Sequence, residues 1–345
     1  MLPGMAKPTL MESEARESPA VAARLAVEGG PALAQLGARL REIAPRLVLA
    51  AGRGSSDAAA LLAKYVIEIR LGLPTVSVAP SVHSIYGMQL QLDRALVLAI
   101  SQSGRSPDLV EFCRAATGAG VLRVAMVNDT SSPLTGAVDV TLPLMAGPET
   151  SVAATKSCIA AMTLVLGLCG HWRQDAGMIA AFNRAGDVLN RALRADWSHV
   201  ADFLDGEGPV YVVGRGPGLA IAAEAALKLK ETSGLHAESI SSAEIRHGPY
   251  ALAGPDLRAI IFAQRDAAFE GLKTLAADLT QRGTSVLLIS PDISLPGVHV
   301  PADDEPVLEL VAMLLRFYLF ANDAALRRGR SPDRPPMLSK ITETR

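Results

Sequence analysis

Two stretches of this chain read alike. LVLAAGRGSS at 47–56 is matched by VYVVGRGPG at 210–218, and RALVLAISQSG at 94–104 by RAIIFAQRD at 258–266. Both pairs are offset by roughly 162–164 residues, far beyond the ~20–50-residue period of a solenoid, so the pattern is a duplicated domain. Within each copy, short apolar runs alternate with helical patterns. The first copy reads as strands at Leu47–Ala51, Val76–Ala79, Ala95–Ile100 and Arg123–Val127, with helices at Ser55–Arg70 and Asp108–Thr117. The second reads as strands at Pro209–Val213, Ala259–Ala263 and Ser285–Ile289, with a helix at Pro217–Ser233. Such alternation predicts βαβ units and a parallel sheet, an α/β fold. Runs such as ALVLAI are apolar throughout because a parallel strand is covered on both faces.

A length of 345 residues also favours two cores over one. With 49% apolar and 20% charged residues the chain has the make-up of a globular protein. A net charge of −2 creates no global field for nucleic acid or an anionic membrane, so an anionic ligand needs a local site. Aromatics, at 4%, are too sparse to stack bases. Cys113, Cys158 and Cys169 lack CxxC spacing and lie in apolar helical stretches, which predicts buried thiols in a reducing cytoplasm. The N-terminus has no basic-then-apolar signal pattern. The longest apolar run, Cys158–Gly170, is too short to span a bilayer and reads as a core helix.

Two loops can hold an anion. Ser101-Gln102-Ser103-Gly104-Arg105-Ser106 joins a strand to a helix, so its hydroxyls, free N–H groups and the helix N-terminus can cradle a phosphate. The plainer alternative is a helix cap on Ser106, with Asp108 answering the dipole. Gly52-Arg53-Gly54-Ser55-Ser56-Asp57 opens the preceding helix in the same way, and both loops leave the C-terminal edge of the sheet, where ligands collect. Neither GRG segment completes GxGxxG, so a dinucleotide site is not indicated. The second copy has Gln264-Arg265-Asp266 in place of SQSG, and carries the denser set of titratable residues. Lys228 and Glu231 fall three apart on one helix face, which by spacing alone is a surface ion pair. His236, Glu238, Glu244 and His247 follow closely. A glutamate and a histidine suit the two tasks of aldose–ketose isomerisation, C1–C2 proton transfer and ring opening. No HExxH-type motif appears, so neither metal nor other cofactor is expected.

The motifs SQSG (101–104), ETSVAATK (149–156), LKLKETSGLHAE (227–238), EIRHGP (244–249) and PPMLSKITET (335–344) occur in this order. In them the chain, from about Glu12 onward, resembles the sugar isomerase (SIS) domain family, and more narrowly the isomerase half of the glutamine-dependent fructose-6-phosphate amidotransferases. The resemblance implies two tandem SIS domains, each a flavodoxin-like parallel sheet with helices on both faces. It implies that Ser101, Gln102, Ser103 and Ser106 bind a sugar phosphate, that Ser55 and Ser56 line the sugar, and that Val152 adds a backbone contact. Glu231 becomes the C1–C2 proton shuttle with Lys228 beside it, and Lys340 the lysine that forms a Schiff base with the ketose. His247 opens the ring, reaching in from a neighbouring subunit of a homodimer. Without the resemblance Lys340 is merely a tail lysine. The division expected is an N-terminal arm (1–28), a phosphate-binding domain (29–172), linking helices (173–206), a catalytic domain (207–328) and a tail (329–345).

The chain departs from the amidotransferases in two ways. It begins Met1-Leu2-Pro3, with no N-terminal cysteine nucleophile to make ammonia from glutamine. Arg105-Ser106-Pro107-Asp108 and Ala154 also differ from the synthase pattern, and SGRSPD is closer to stand-alone catabolic SIS enzymes. The expected activity is therefore glucosamine-6-phosphate deamination and isomerisation. Rivals are another phosphosugar isomerase, a galactosamine-6-phosphate deaminase, a fructosamine-phosphate deglycase, or a non-catalytic phosphosugar sensor.

Overall fold

The computed structural model describes residues 7–340. Helices α1 (Leu10–Arg16), α2 (Ser18–Arg24) and α3 (Gly30–Ile43) come first. The first sheet holds β1 (Leu47–Ala51), β2 (Thr75–Ser77), β3 (Ala95–Ser101), β4 (Leu122–Val127) and β5 (Val140–Pro143). It is interleaved with α4 (Ser55–Leu71), α5 (Ser81–Ser84) and α6 (Pro107–Ala115). Helices α7 (Lys156–Arg173), α8 (Ala176–Asn183) and α9 (Ala185–Ala192) lead to the second sheet. That sheet holds β6 (Val210–Gly214), β7 (Ala237–Ser241), β8 (Arg258–Phe262), β9 (Ser285–Ser290) and β10 (Val298–His299), with α10 (Gly218–Lys228), α11 (Phe269–Gln281) and α12 (Pro306–Arg327).

The strand orders are β2-β1-β3-β4-β5 and β7-β6-β8-β9-β10, parallel throughout. The order is the same in both, so the repeat seen in the sequence is a repeat of topology. It is the doubly wound 2-1-3-4-5 arrangement, as two tandem SIS domains require. A shared core of α4, α7, α10 and α12 fills the space between the two sheets. Two further cores lie on the sheets' far faces, under α6 and under α11. Each sheet is thus covered on both sides, the physical reason its central strands need no polar face.

The apolar run Cys158–Gly170 becomes α7, buried on every side. The three cysteines are free and buried. Among the described residues no helix is long and apolar enough to cross a membrane. Three features were not evident in the residue pattern. Residues 10–24, read as an arm, form two helices that put Met11, Ala15, Val21 and Ala22 into the shared core. The helix expected to run to Ser233 stops as α-helix at Lys228 and continues as one π turn, Leu229–Ser233. Edge strand β7 takes up the segment carrying Glu238, too polar to read as a strand.

Candidate active site

The order of the first sheet reverses between β1 and β3, so the loops leaving their C-terminal ends diverge and open a crevice. A cavity of ≈ 200 Å³ lies there. Its floor is the two loops singled out in the sequence: Arg53, Ser55 and Ser56 on one side, Ser101, Gln102, Ser103 and Ser106 on the other. Both α4 and α6 begin at this floor, and neither N-cap residue, Gly54 or Ser106, makes a side-chain cap bond. Ser106 occupies the N-cap position of α6 without bonding an N–H of the helix through its side chain, and Asp108 Oδ1 accepts the Leu109 N–H at 2.8 Å instead. The first-turn N–H groups are partly spent, on Arg53 O and Gly54 O in α4 and on Asp108 in α6, but two converging helix N-termini still make a positive, anion-accepting surface. Gly104 sets the loop's shape, at φ +63°, where a Cβ would lie 2.0 Å from Ser132 Oγ. Ser101 Oγ closes the turn by accepting the Gly104 N–H at 2.9 Å. Arg53, which the sequence reading passed over, donates to the buried Asp108 carboxylate through Nε at 3.0 Å and also through Nη2.

The opposite wall comes from the second copy. The last turn of α10 and the π turn place Lys228 and Glu231 in the cavity lining. Spacing alone made them a surface pair; in the fold the Lys228 side chain is 1% exposed and that of Glu231 21%. Lys228 Nζ donates to Glu231 Oε2 and lies 3.6 Å from Glu224 Oε1. Glu224 is wholly buried and accepts from Tyr318 OH at 2.9 Å, and among the described residues its Oε2 has no hydrogen-bond partner. Burial pushes its carboxyl up to about 7, against the opposing pull of Lys228. The Lys228 ammonium is held above the ordinary lysine range: its two carboxylate neighbours outweigh the burial that disfavours its charge. One cation thus serves two carboxylates, and Glu231 keeps an edge open to the cavity.

The third wall is the tail. Leu338, Ser339 and Lys340 border the cavity, as do Val152 and Ala154. Lys340 Nζ donates to Glu149 Oε2 at 3.2 Å. Glu149 is buried and also accepts from Thr155 N at 3.0 Å, Ser157 N at 3.1 Å and Ser157 Oγ at 2.6 Å. Burial works against its ionisation, yet Lys340 and these donors hold the carboxyl below its ordinary range. The fold therefore brings Ser55, Ser56, Ser101, Gln102, Ser103, Ser106, Val152, Lys228, Glu231 and Lys340 to one cavity. His247 is not in its lining; it is exposed on the short helical turn after Glu244–Arg246. Glu224 and Glu149 were the overlooked members. Glu224 lies four residues before Lys228, a spacing visible in EAALKLKE, and Glu149 opens the motif ETSVAATK. Among the described residues no group of three His, Cys, Asp or Glu side chains is arranged to hold a metal ion.

The equivalent crevice of the second sheet is built differently: a cavity of ≈ 400 Å³ beside it is lined mainly by apolar side chains such as Pro217, Ala267, Val307 and Leu310, with no serine among them. Gln264 is fully buried, donates to Arg215 O at 3.1 Å and Asp266 Oδ2 at 2.9 Å, and its Oε1 is 2.8 Å from where a Cβ on Gly218 would sit. An amide side chain fills the place that SQSG leaves open in the first copy.

The SIS domain model matches residues 44–168 and 204–292. A glutamine–fructose-6-phosphate aminotransferase from Aeropyrum pernix is 33% identical over 85% of this chain and 50% of its own length. The chain thus spans half the length of that relative. Among solved structures, a Silicibacter pomeroyi protein named as a phosphosugar isomerase is 37% identical, with a TM-score of 0.88 over 94% of this chain and 100% of its own. A Thermotoga maritima glucosamine-6-phosphate deaminase shares the fold at 19% identity, with a TM-score of 0.77 over 97% of this chain and 100% of its own. With the family model matching segments of both sheets and a relative 33% identical over 85% of the chain, this chain belongs to the SIS domain family.

Proposed function

We propose that this protein is a phosphosugar isomerase that deaminates glucosamine-6-phosphate to fructose-6-phosphate and ammonia. The observation that carries the reading is the meeting, in one cavity, of a phosphate cradle with a glutamate–lysine pair and a second lysine. The phosphate docks on Ser101, Gln102, Ser103 and Ser106 at the helix N-termini, which directs C1 and C2 away from the floor toward Glu231 and Lys340. His247 of a second copy assists ring opening. Glu231 takes the proton from C2 and returns it to C1. The C2 amine becomes an imine, water adds, and ammonia leaves as the ketone forms. Lys228, charged and buried, holds Glu231 by Oε2 at the cavity wall, in place to accept the proton. Lys340 provides the amine that exchanges with the C2 imine, or the cation that faces the developing enolate oxygen.

The homodimer belongs to the same reading. His247 lies outside the cavity of its own chain, and Ile85, Tyr86 and Met88 are exposed by 63%, 74% and 61%, as in a surface that meets a partner. A second reading, isomerisation without ammonia, is favoured by the similarity to the aminotransferases, and it would use the same cavity. The test is a panel of hexose and hexosamine 6-phosphates scored for ammonia and for ketose formation. Ammonia from glucosamine-6-phosphate is expected. Ketose formation from glucose-6-phosphate with no ammonia from any hexosamine phosphate would establish the second reading instead.

A further inference from the structure

We infer that Asp333 is a positioning residue for Lys340, holding the C-terminal tail to the first helix of the chain so that the lysine stays in the cavity; this rests on the role proposed above for Lys340. After α12 the tail buries Pro332 and Pro335, but beyond them it has little apolar surface to anchor it. Arg334, Pro336, Met337, Leu338 and Ser339 are all exposed, Met337 completely. Polar contacts must therefore set where it lies. Asp333 supplies three. Its carboxylate accepts the Leu10 and Met11 N–H groups of α1, each at 2.8 Å, and its carbonyl accepts the Val152 N–H at 3.4 Å. The same α1 holds the loop that forms the facing wall: Glu14 accepts from Thr150 N at 2.5 Å and from Ser151 N at 3.2 Å. Helix α1 is fixed in turn by buried Met11 and Ala15, and by Thr9 Oγ1 donating to the buried Asn322 of α12 at 2.5 Å. Val152 and Lys340, on two walls of the cavity, thus take their places from one short helix.

From Asp333 to Lys340 the chain contains Pro335 and Pro336, whose fixed φ stiffens the link. An anchor at Asp333 is therefore transmitted to Lys340. The contact that Lys340 makes at the far end, with Glu149, is among the described residues one bond of 3.2 Å at the tip of a long flexible side chain, and cannot fix the approach alone. An Asp333 that only capped α1 would stabilise the fold and leave chemistry untouched. One that positions the tail affects the step in which Lys340 takes part, and spares phosphate binding by the loops at 53–56 and 101–106, which it does not contact.

The experiment uses the full chain with fructose-6-phosphate and sodium borohydride. The Lys340 amine adds to the C2 carbonyl, water leaves, and hydride reduces the imine to a stable secondary amine that mass spectrometry locates. Fructose-6-phosphate affinity is measured in parallel by calorimetry. Asp333→Ala is expected to lower adduct formation and kcat by roughly 10- to 100-fold, the loss that misplacement by about an ångström brings. Affinity should stay within about threefold, because the cradle supplies it. Asp333→Asn, which keeps one acceptor, should recover part of the loss, and it carries the test if Asp333→Ala does not fold. Undiminished adduct in a folded variant, or equal losses of affinity and adduct in Asp333→Asn, overturns the inference. No adduct in the unaltered chain removes the Lys340 reading itself, and this inference with it.

Discussion

Glu231 and Glu224 share one lysine but meet different surroundings, and that difference gives them different work. Glu231 keeps an open edge on the cavity, while Glu224 lies behind it with no access to solvent. Replacing Glu231 by Gln removes the proposed proton acceptor and keeps the shape. Turnover should fall by ~10²–10⁴-fold, with hexose-phosphate affinity retained by calorimetry; a fully active variant would exclude Glu231 from proton transfer. Glu224 makes a prediction about stability. Its carboxyl is raised from 4.5 to about 7 by burial, with Lys228 opposing. The folded state therefore binds this proton more tightly than the unfolded chain, and stability from the group is greatest below pH 4.5 and lost as pH rises toward 7. A shift of that size corresponds to about 3 kcal/mol. Gln in its place has no proton to lose and can still accept from Tyr318. Relative to the unaltered chain, Glu224→Gln should gain up to about 3 kcal/mol in urea unfolding between pH 5 and pH 8. A difference that does not move with pH would show that Glu224 is ionised throughout.

The loop between β3 and α6 depends on a backbone that only glycine adopts without strain. A Cβ at Gly104 would meet Ser132 Oγ at 2.0 Å and Val127 Cγ2 at 2.9 Å, at a φ of +63°. Gly104→Ala should cost about 1–3 kcal/mol in stability and weaken hexose-phosphate binding, with calorimetry at matched folded fractions separating the two. Binding equal to that of the unaltered chain would mean that the cradle tolerates a shifted loop. This loop, its partner at 53–56 and the strands beneath them were legible in the sequence, because strand–turn–helix units announce themselves by local pattern: an apolar run, hydroxyl residues and glycine, then helical spacing. Other features depended on contacts distant in sequence. Helices α1 and α2 look like a polar arm until Met11 and Val21 find the shared core. The π turn that carries Glu231 has the composition of an ordinary helix end. The burial of Lys228, which turns a surface pair into a cavity wall, arises only when the two copies close over α4 and α10.

The cavity at the first sheet draws its walls from both copies and from the tail, yet His247, proposed to open the ring, lies outside it. If His247 serves a neighbouring subunit, each site in a homodimer needs Glu231 of one chain and His247 of the other. This makes a test by complementation possible. Glu231→Gln dimers lack the base in both sites, and His247→Ala dimers lack the histidine in both. In a mixed dimer one site carries both replacements, whereas the other combines the intact glutamate of one chain with the intact histidine of its partner. Random co-assembly makes half of the dimers mixed, so about a quarter of normal sites should work. If the histidine acted within its own chain, every site of every dimer would carry one defect and mixing would recover nothing. Co-expression of the two variants with different affinity tags, isolation of the doubly tagged species and measurement of its turnover distinguish the two arrangements. Activity near half of the unaltered dimer in that purified species is the expected result, and activity no higher than either parent variant would place His247 outside the reaction of the neighbouring site.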